Sequence, residues 1–209
     1  FDAQVLMQAV IEDAESDESD HDMGGDIVPA FVERGEAYVY DMVDNDIPGA
    51  TEKDRLYWRD VGTIDSFYDA HIDLIATDPA FNLFNSQWPI YTQQWNLPPA
   101  KFTTDASGRT GDMTESLVSL GSLVEGATVR GSVLGQSVRV HPGASVTDSI
   151  VFEKVTIGEE ARVHRAILDK GVVVAPGASV GYDPDLDRSR GFTVTASGIT
   201  VVAKGLVVT

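Results

Sequence analysis

The chain has no cysteine, which excludes disulfides and thiolate metal sites and leaves carboxylate, water and imidazole as the ligands for any bound metal. Oxygen-ligated magnesium is the natural candidate. Long apolar runs are missing too: nothing approaches the roughly 20 residues that span a bilayer, and the N-terminus lacks the basic, apolar and small-residue regions of a signal peptide. The chain is therefore expected to be soluble and cytoplasmic, with no membrane partner. Positive charge is scarce, with 15 Lys and Arg against 33 Asp and Glu and a net charge of -18. The imbalance belongs to the first half, where residues 1–110 hold 22 acids and 6 bases while 111–209 hold 11 and 9. A surface of this sign repels phosphate backbones, so no nucleic acid is expected as a partner.

What is present divides at Tyr57-Trp58-Arg59-Asp60-Val61-Gly62-Thr63. Ahead of it, Phe1, Val5, Leu6, Ala9 and Val10 fall at helical spacing. Glu12 to Asp22 is an acidic, serine-containing run without apolar period and reads as an exposed, mobile loop. Ile27, Val28, Phe31 and Val32 resume a helix that Gly35 can end, and alternation through Ala37 to Tyr40 predicts a strand. After it, Thr63 can cap a helix carrying Ile64, Phe67, Tyr68, His71, Ile72 and Ile75. Asn82 to Gly111 has little periodicity and reads as a connecting segment. The chain opens at Phe1, without methionine, on what reads as a helix, and is expected to be a piece of a longer protein.

The strongest structural signal is a repeat. Leu123, Val140, Ile157 and Val174 recur at one constant interval, as do Val129, Val146, Val163 and Val180, with Ala127, Ala144, Ala161 and Ala178 between them. Val133, Ile150, Ile167 and Val138, Val155, Val172 keep the same interval. Coils of about 17 to 18 residues with three short faces stack at hydrogen-bonding distance, large residues inward and alanine at tight corners. Over about 116–181 the pattern resembles the hexapeptide-repeat, left-handed parallel β-helix family, whose handedness comes with the resemblance. Gly181 to Gly191 reads as a polar loop, and Phe192 to Val194 and Ile199 to Val202 as short closing strands.

Trp58 and Asp60 straddle one position, so on an extended segment they share a side, an aromatic face beside a carboxylate. In context, Tyr57 to Thr63 is similar to the sugar-binding signature of nucleotide-sugar pyrophosphorylases. His21-Asp22-Met23-Gly24-Gly25-Asp26-Ile27-Val28-Pro29, Trp88-Pro89-Ile90, Pro98-Pro99-Ala100-Lys101-Phe102 and the C-terminal β-helix resemble the ADP-glucose pyrophosphorylase (glucose-1-phosphate adenylyltransferase) family. The resemblance implies a mixed fold: the tail of an α/β nucleotidyltransferase domain over 1–90, a linker over 91–115 and a left-handed β-helix regulatory and oligomerisation domain over 116–209. It implies formation of ADP-glucose and pyrophosphate from ATP and glucose 1-phosphate, for glycogen synthesis, with Mg2+ as cofactor.

Carried over by the same resemblance, Asp60 ligates magnesium as the catalytic carboxylate, and Trp58, Asp22 and Met23 contact the sugar; Met23 stands where some members have an aromatic residue. Lys170 and Lys204 match positions that bind metabolite effectors, with Arg165, Arg188 and Arg190 as candidate neighbours in that allosteric region, and a homotetramer is the family's usual assembly. Members carry a glycine-rich nucleotide loop, a second magnesium aspartate and a phosphate-binding lysine in a segment preceding the one matched here. With only six bases among 22 acids over 1–110, this chain alone is expected to be inactive. Two other readings are a hexapeptide acyltransferase using His141 or His164, and a regulatory and assembly module without catalysis.

Overall fold

The computed structural model describes residues 1–93 and 95–209. They form two compact units, Phe1–Asn45 and Asp46–Thr209.

In the first unit, helix α1 (Ala3–Ala14) starts where the Asp2 carboxylate accepts from the amides of Gln4 and Val5, satisfying donors that a helix start leaves unpaired. A wide π-type turn over Met23–Ile27 leads into helix α2 (Val28–Glu33). Ala9, Ile27 and Phe31 are buried together, with Leu6 against them, and Gly35 ends the segment at a φ of 70°. The acidic run is more ordered than its composition suggests. Helix α1 continues to Ala14, and beyond it Ser19 donates to Asp13 at 2.6 Å while His21 Nδ1 lies 3.0 Å from the same carboxylate. Ala37 to Tyr40 form no strand, and Tyr38 and Val39 are almost fully exposed. Alternation needs a neighbouring edge to hydrogen-bond to, and these residues have none among those described.

In the second unit, the expected helix cap at Thr63 is present as a reciprocal box. Thr63 Oγ1 accepts from the Ser66 amide and Ser66 Oγ from the Thr63 amide, opening helix α3 (Ile64–Asp73). The remainder is a parallel β-helix of three faces. One stacks Lys101–Thr103, Leu123–Glu125, Arg139–Val140, Thr156–Ile157, Val173–Val174 and Val207–Val208. The second stacks Asp112–Thr114, Thr128–Arg130, Ser145–Thr147, Arg162–His164 and Ser179–Val180. The third stacks Leu117–Val118, Val133–Leu134, Ile150–Val151, Ala166–Leu168 and Thr200–Val202, and the antiparallel strand Thr193–Val194 lies on the last of these. The first strand therefore begins at Lys101, inside a stretch whose periodicity is too weak to reveal it.

The inward ladders are Val129, Val146, Val163, Val180 and Val138, Val155, Val172, all fully buried. Two columns differ in detail from the repeat. Val124, not Leu123, pairs with Val140, because the turn from this face to the second is one residue shorter after Leu123–Glu125 than after Arg139–Val140. On the third face the inward ladder is Leu134, Val151, Leu168 and Val202, whereas Ile150 and Ile167 point outward. There they join Ile199 and Tyr68, with Phe67, Ile72 and Val201 against them: helix α3 covers the third face. The expected polar loop after Gly181 contains a short helix, α4 (Pro184–Ser189), capped by Asp183. Its buried Asp187 accepts from the Gly181 amide at 2.8 Å and from Thr200 Oγ1 at 3.0 Å. No described helix is long and apolar enough to cross a membrane.

Candidate active site

The loop before α3 is built by alternation. Tyr57 packs its ring 4.9 Å from that of Phe81, and Arg59 reaches back over Tyr57 at 5.9 Å and toward Asp73 at 3.5 Å. Tyr57 is half-buried and Arg59, though exposed, is drawn back over it, while Trp58 and Asp60 face out. Trp58 is 72% exposed and Asp60 is exposed beside it. The segment belongs to no sheet. Asp60 Oδ1 accepts from the Gly62 amide at 3.1 Å, and a side chain at Gly62 would stand 3.3 Å from both carboxylate oxygens, so glycine leaves the carboxylate room. Among the described residues no ion pair engages Asp60, which leaves Oδ2 available to a cation. No cluster of three carboxylate or imidazole ligands occurs among the described residues. Magnesium commonly takes one or two protein carboxylates and completes its shell with water and substrate phosphate. A single contribution from Asp60 fits that pattern.

In the first unit, Asp22 caps the turn that follows it, Oδ1 accepting from Gly24 and Gly25 at 2.8 and 2.6 Å. Its own amide donates to Asp26 Oδ2 at 2.9 Å. Met23 is exposed. The local fold thus fixes the Asp22 carboxylate by one oxygen.

Lys170 and Lys204 come together. Leu168 pairs with Val202, and the Gly205 amide donates to Lys170 O at 3.0 Å, so the two lysines occupy equivalent places on successive coils at one corner. Lys170 Nζ is 3.0 Å from Glu153. Burial pushes the Glu153 carboxyl up, but the hydrogen bond from Lys170, with lesser help from its own amide and the neighbouring positive charges, outweighs it and the pKa lies below the ordinary range. Arg165 is elsewhere, at the corner where the third face begins, over the Tyr68 ring at 5.5 Å and 3.4 Å from Ser197 O. A groove runs along the third face between Val61, Gly62 and Thr63 on one wall and Phe152, Asp169 and Ala203 on the other. The loop that carries Asp60 therefore abuts the turns that carry Lys170 and Lys204. His164 Nδ1 lies 2.9 Å from Thr147 Oγ1 and 3.6 Å from Asp148, occupied by the preceding coil. Arg188 pairs with Asp185, and Arg190 binds Ser179 O and Thr209 O.

Sequence reasoning missed Asp65. Its Oδ1 accepts from Thr195 Oγ1 at 3.2 Å and from Ser197 Oγ. No local pattern could have indicated partners so distant in sequence.

Residues 98–202 match the family model "GlmU-like, C-terminal hexapeptide", and residues 1–77 match "Nucleotidyl transferase". Together with the folded chain, these matches define the class: a nucleotidyl transferase segment continued by a hexapeptide β-helix. The chain is 59% identical over 206 residues to glucose-1-phosphate adenylyltransferase of Leifsonia xyli subsp. xyli, a match covering 99% of this chain and 50% of that protein. It is 56% identical over 205 residues to the protein of the same name from Arthrobacter sp., covering 98% and 44%. For that of Bifidobacterium adolescentis the identity is 53% over 203 residues, covering 97% and 49%. The chain belongs to the glucose-1-phosphate adenylyltransferase family, and spans about half the length of the curated relatives it matches.

Proposed function

We propose that this chain is the sugar-phosphate side and the β-helix of an enzyme that transfers the adenylyl group of ATP to glucose 1-phosphate. The observation that carries the reading is the match to adenylyltransferases along almost the whole chain. A phosphate oxygen of glucose 1-phosphate attacks the α-phosphorus of ATP, a new P–O bond forms, and the bond from that phosphorus to the oxygen bridging the β-phosphate breaks. ADP-glucose and pyrophosphate are the products, as glycogen synthesis requires. The nucleophile is already an anion, so no strong base is needed, and positioning with charge neutralisation dominates.

Trp58 offers its exposed ring to the apolar face of the glucose, and Asp22 and Met23 supply further sugar contacts. Asp60 holds Mg2+ through its free carboxylate oxygen. When bound, that ion neutralises phosphate charge. Lys170 and Lys204 bind a phosphorylated metabolite effector by charge; as lysines they lack the bidentate grip of arginine. Arg165, engaged with Tyr68 and Ser197 O, borders the effector region from the other side of the third face.

In functional terms residues 1–90 belong to the catalytic domain, and the β-helix, which begins at Lys101 and takes in most of the expected linker over 91–115, is the regulatory and oligomerisation domain of a cytoplasmic homotetramer. Residues 1–110 hold six bases against 22 acids, too few to neutralise a triphosphate, so this chain alone does not catalyse the reaction. The test is product formation by the full-length native protein offered glucose 1-phosphate with ATP, UTP or dTTP. ADP-glucose as the main product supports the reading. UDP-glucose, dTDP-glucose or no product at all would count against it.

A further inference from the structure

Helix α3 is fastened to the β-helix at two points in its first two turns, and by groups the adenylyltransferase chemistry does not use. Asp65, in its first turn, accepts from Thr195 and Ser197 at the tip of the hairpin formed by Thr193–Val194 and Thr200–Val202. One turn on, the Tyr68 hydroxyl donates to Asp148 O at 2.6 Å, and its ring lies against Ile150, Ile167 and Ile199 under the Arg165 guanidinium. A carboxylate in the first turn also lies well with the positive end of the helix. Thr63, two residues before Asp65, is the cap from which the Trp58–Asp60 loop departs.

We infer that Asp65 is a positioning residue: the hairpin clamps the first turn of α3 through it, and so sets where the Trp58–Asp60 loop stands. This rests on the proposed role of Trp58 and Asp60 in holding the sugar phosphate. A shift of the loop by a fraction of an ångström misplaces a group that must be aligned for in-line attack. Through Trp58, whose ring meets the glucose in that reading, the clamp bears more on the sugar phosphate than on ATP.

The experiment has two arms. In this chain and in the full-length protein, amide exchange of Val61 and Gly62 is compared among the native sequence, Asp65→Ala, Asp65→Asn and Ser197→Ala. In the full-length protein the same variants are assayed for the KM of each substrate. Asp65→Ala and Ser197→Ala are expected to speed exchange at Val61 and Gly62 and to raise the KM for glucose 1-phosphate roughly tenfold, leaving the KM for ATP within about twofold. Asp65→Asn, which keeps an oxygen acceptor for both hydroxyls, is expected to restore both readouts. Unchanged exchange overturns the clamp. Faster exchange with equal effects on the two substrates, or with none, overturns its positioning role. If the native full-length protein does not use glucose 1-phosphate, the functional reading fails on its own, and the exchange arm still decides whether Asp65 fixes the loop. Ser197→Ala keeps the question open to test should Asp65→Ala not fold, because among the described residues the serine hydroxyl engages only Thr195 at the hairpin tip and Asp65.

Discussion

Trp58 and Asp60 reach solvent because Tyr57 and Arg59 turn the other way. The half-buried tyrosine against Phe81 and the arginine turned toward Asp73 leave the intervening side chains only the outer side of the loop. The alternation itself is legible in the sequence, since residues two apart on an extended segment share a side; that Phe81 and Asp73 engage the odd side is not. Asp65 is not, because its hydrogen-bond partners lie 130 and 132 residues further on. Nor does the sequence reveal that Asp187 is a buried carboxylate serving Gly181, Thr200 and Arg190. Removing the Tyr68 hydroxyl with Tyr68→Phe forfeits one hydrogen bond to a backbone carbonyl, and denaturant unfolding should show a loss of about 1 kcal/mol. Burial also pushes the Tyr68 hydroxyl above the ordinary tyrosine range, with Arg165 opposing. A group whose folded pKa is raised supports the fold below its unfolded pKa and loses that support as pH rises through the folded one. Alkaline absorbance titration of the folded chain should therefore find one of its six tyrosines ionising after the exposed ones, and Tyr68→Phe should remove that late step.

At the scale of elements, a constant repeat discloses the coils because every coil presents the same inward valines. The sequence cannot say which aliphatic column faces in, since Ile150 and Ile167 look as apolar as Val151 and Leu168; α3 is what buries the outward pair. The coil starting at Lys101 is hidden because a long loop precedes the second strand of its turn, which shifts the register. Ala37 to Tyr40 have the right alternation and no partner edge among the described residues. Two substitutions separate these roles. Ile157, fully buried in the ladder, should lose about 2–5 kcal/mol on replacement by alanine in urea unfolding. Val173 faces outward on the neighbouring coil at 38% exposure, and Val173→Ala should change stability by less than about 0.5 kcal/mol. Thr63→Ala removes the helix cap and should cost about 1 kcal/mol, with the amides of Ser66 and Phe67 exchanging faster.

For the whole molecule, the charge distribution and the two architectures belong together. The acidic stretch 1–110 carries carboxylates suited to metal and sugar, and the better-balanced second half carries the paired lysines of one β-helix corner. Because the loop of Asp60 shares a groove with the turns of Lys170 and Lys204, an anion drawn to that corner has a short physical path to the proposed sugar site. In the full-length protein, Lys170→Ala combined with Lys204→Ala should abolish the activity response to phosphorylated metabolites; a full response in the double variant would contradict the assignment. The central claim is that Asp60 serves adenylyl transfer to glucose 1-phosphate. Its most direct test is the turnover of full-length Asp60→Asn against the native protein, following ADP-glucose and pyrophosphate together. Equal amounts of the two products from the native protein, and a kcat roughly 100-fold lower in the folded variant, are the predicted result. Undiminished turnover by Asp60→Asn would contradict it.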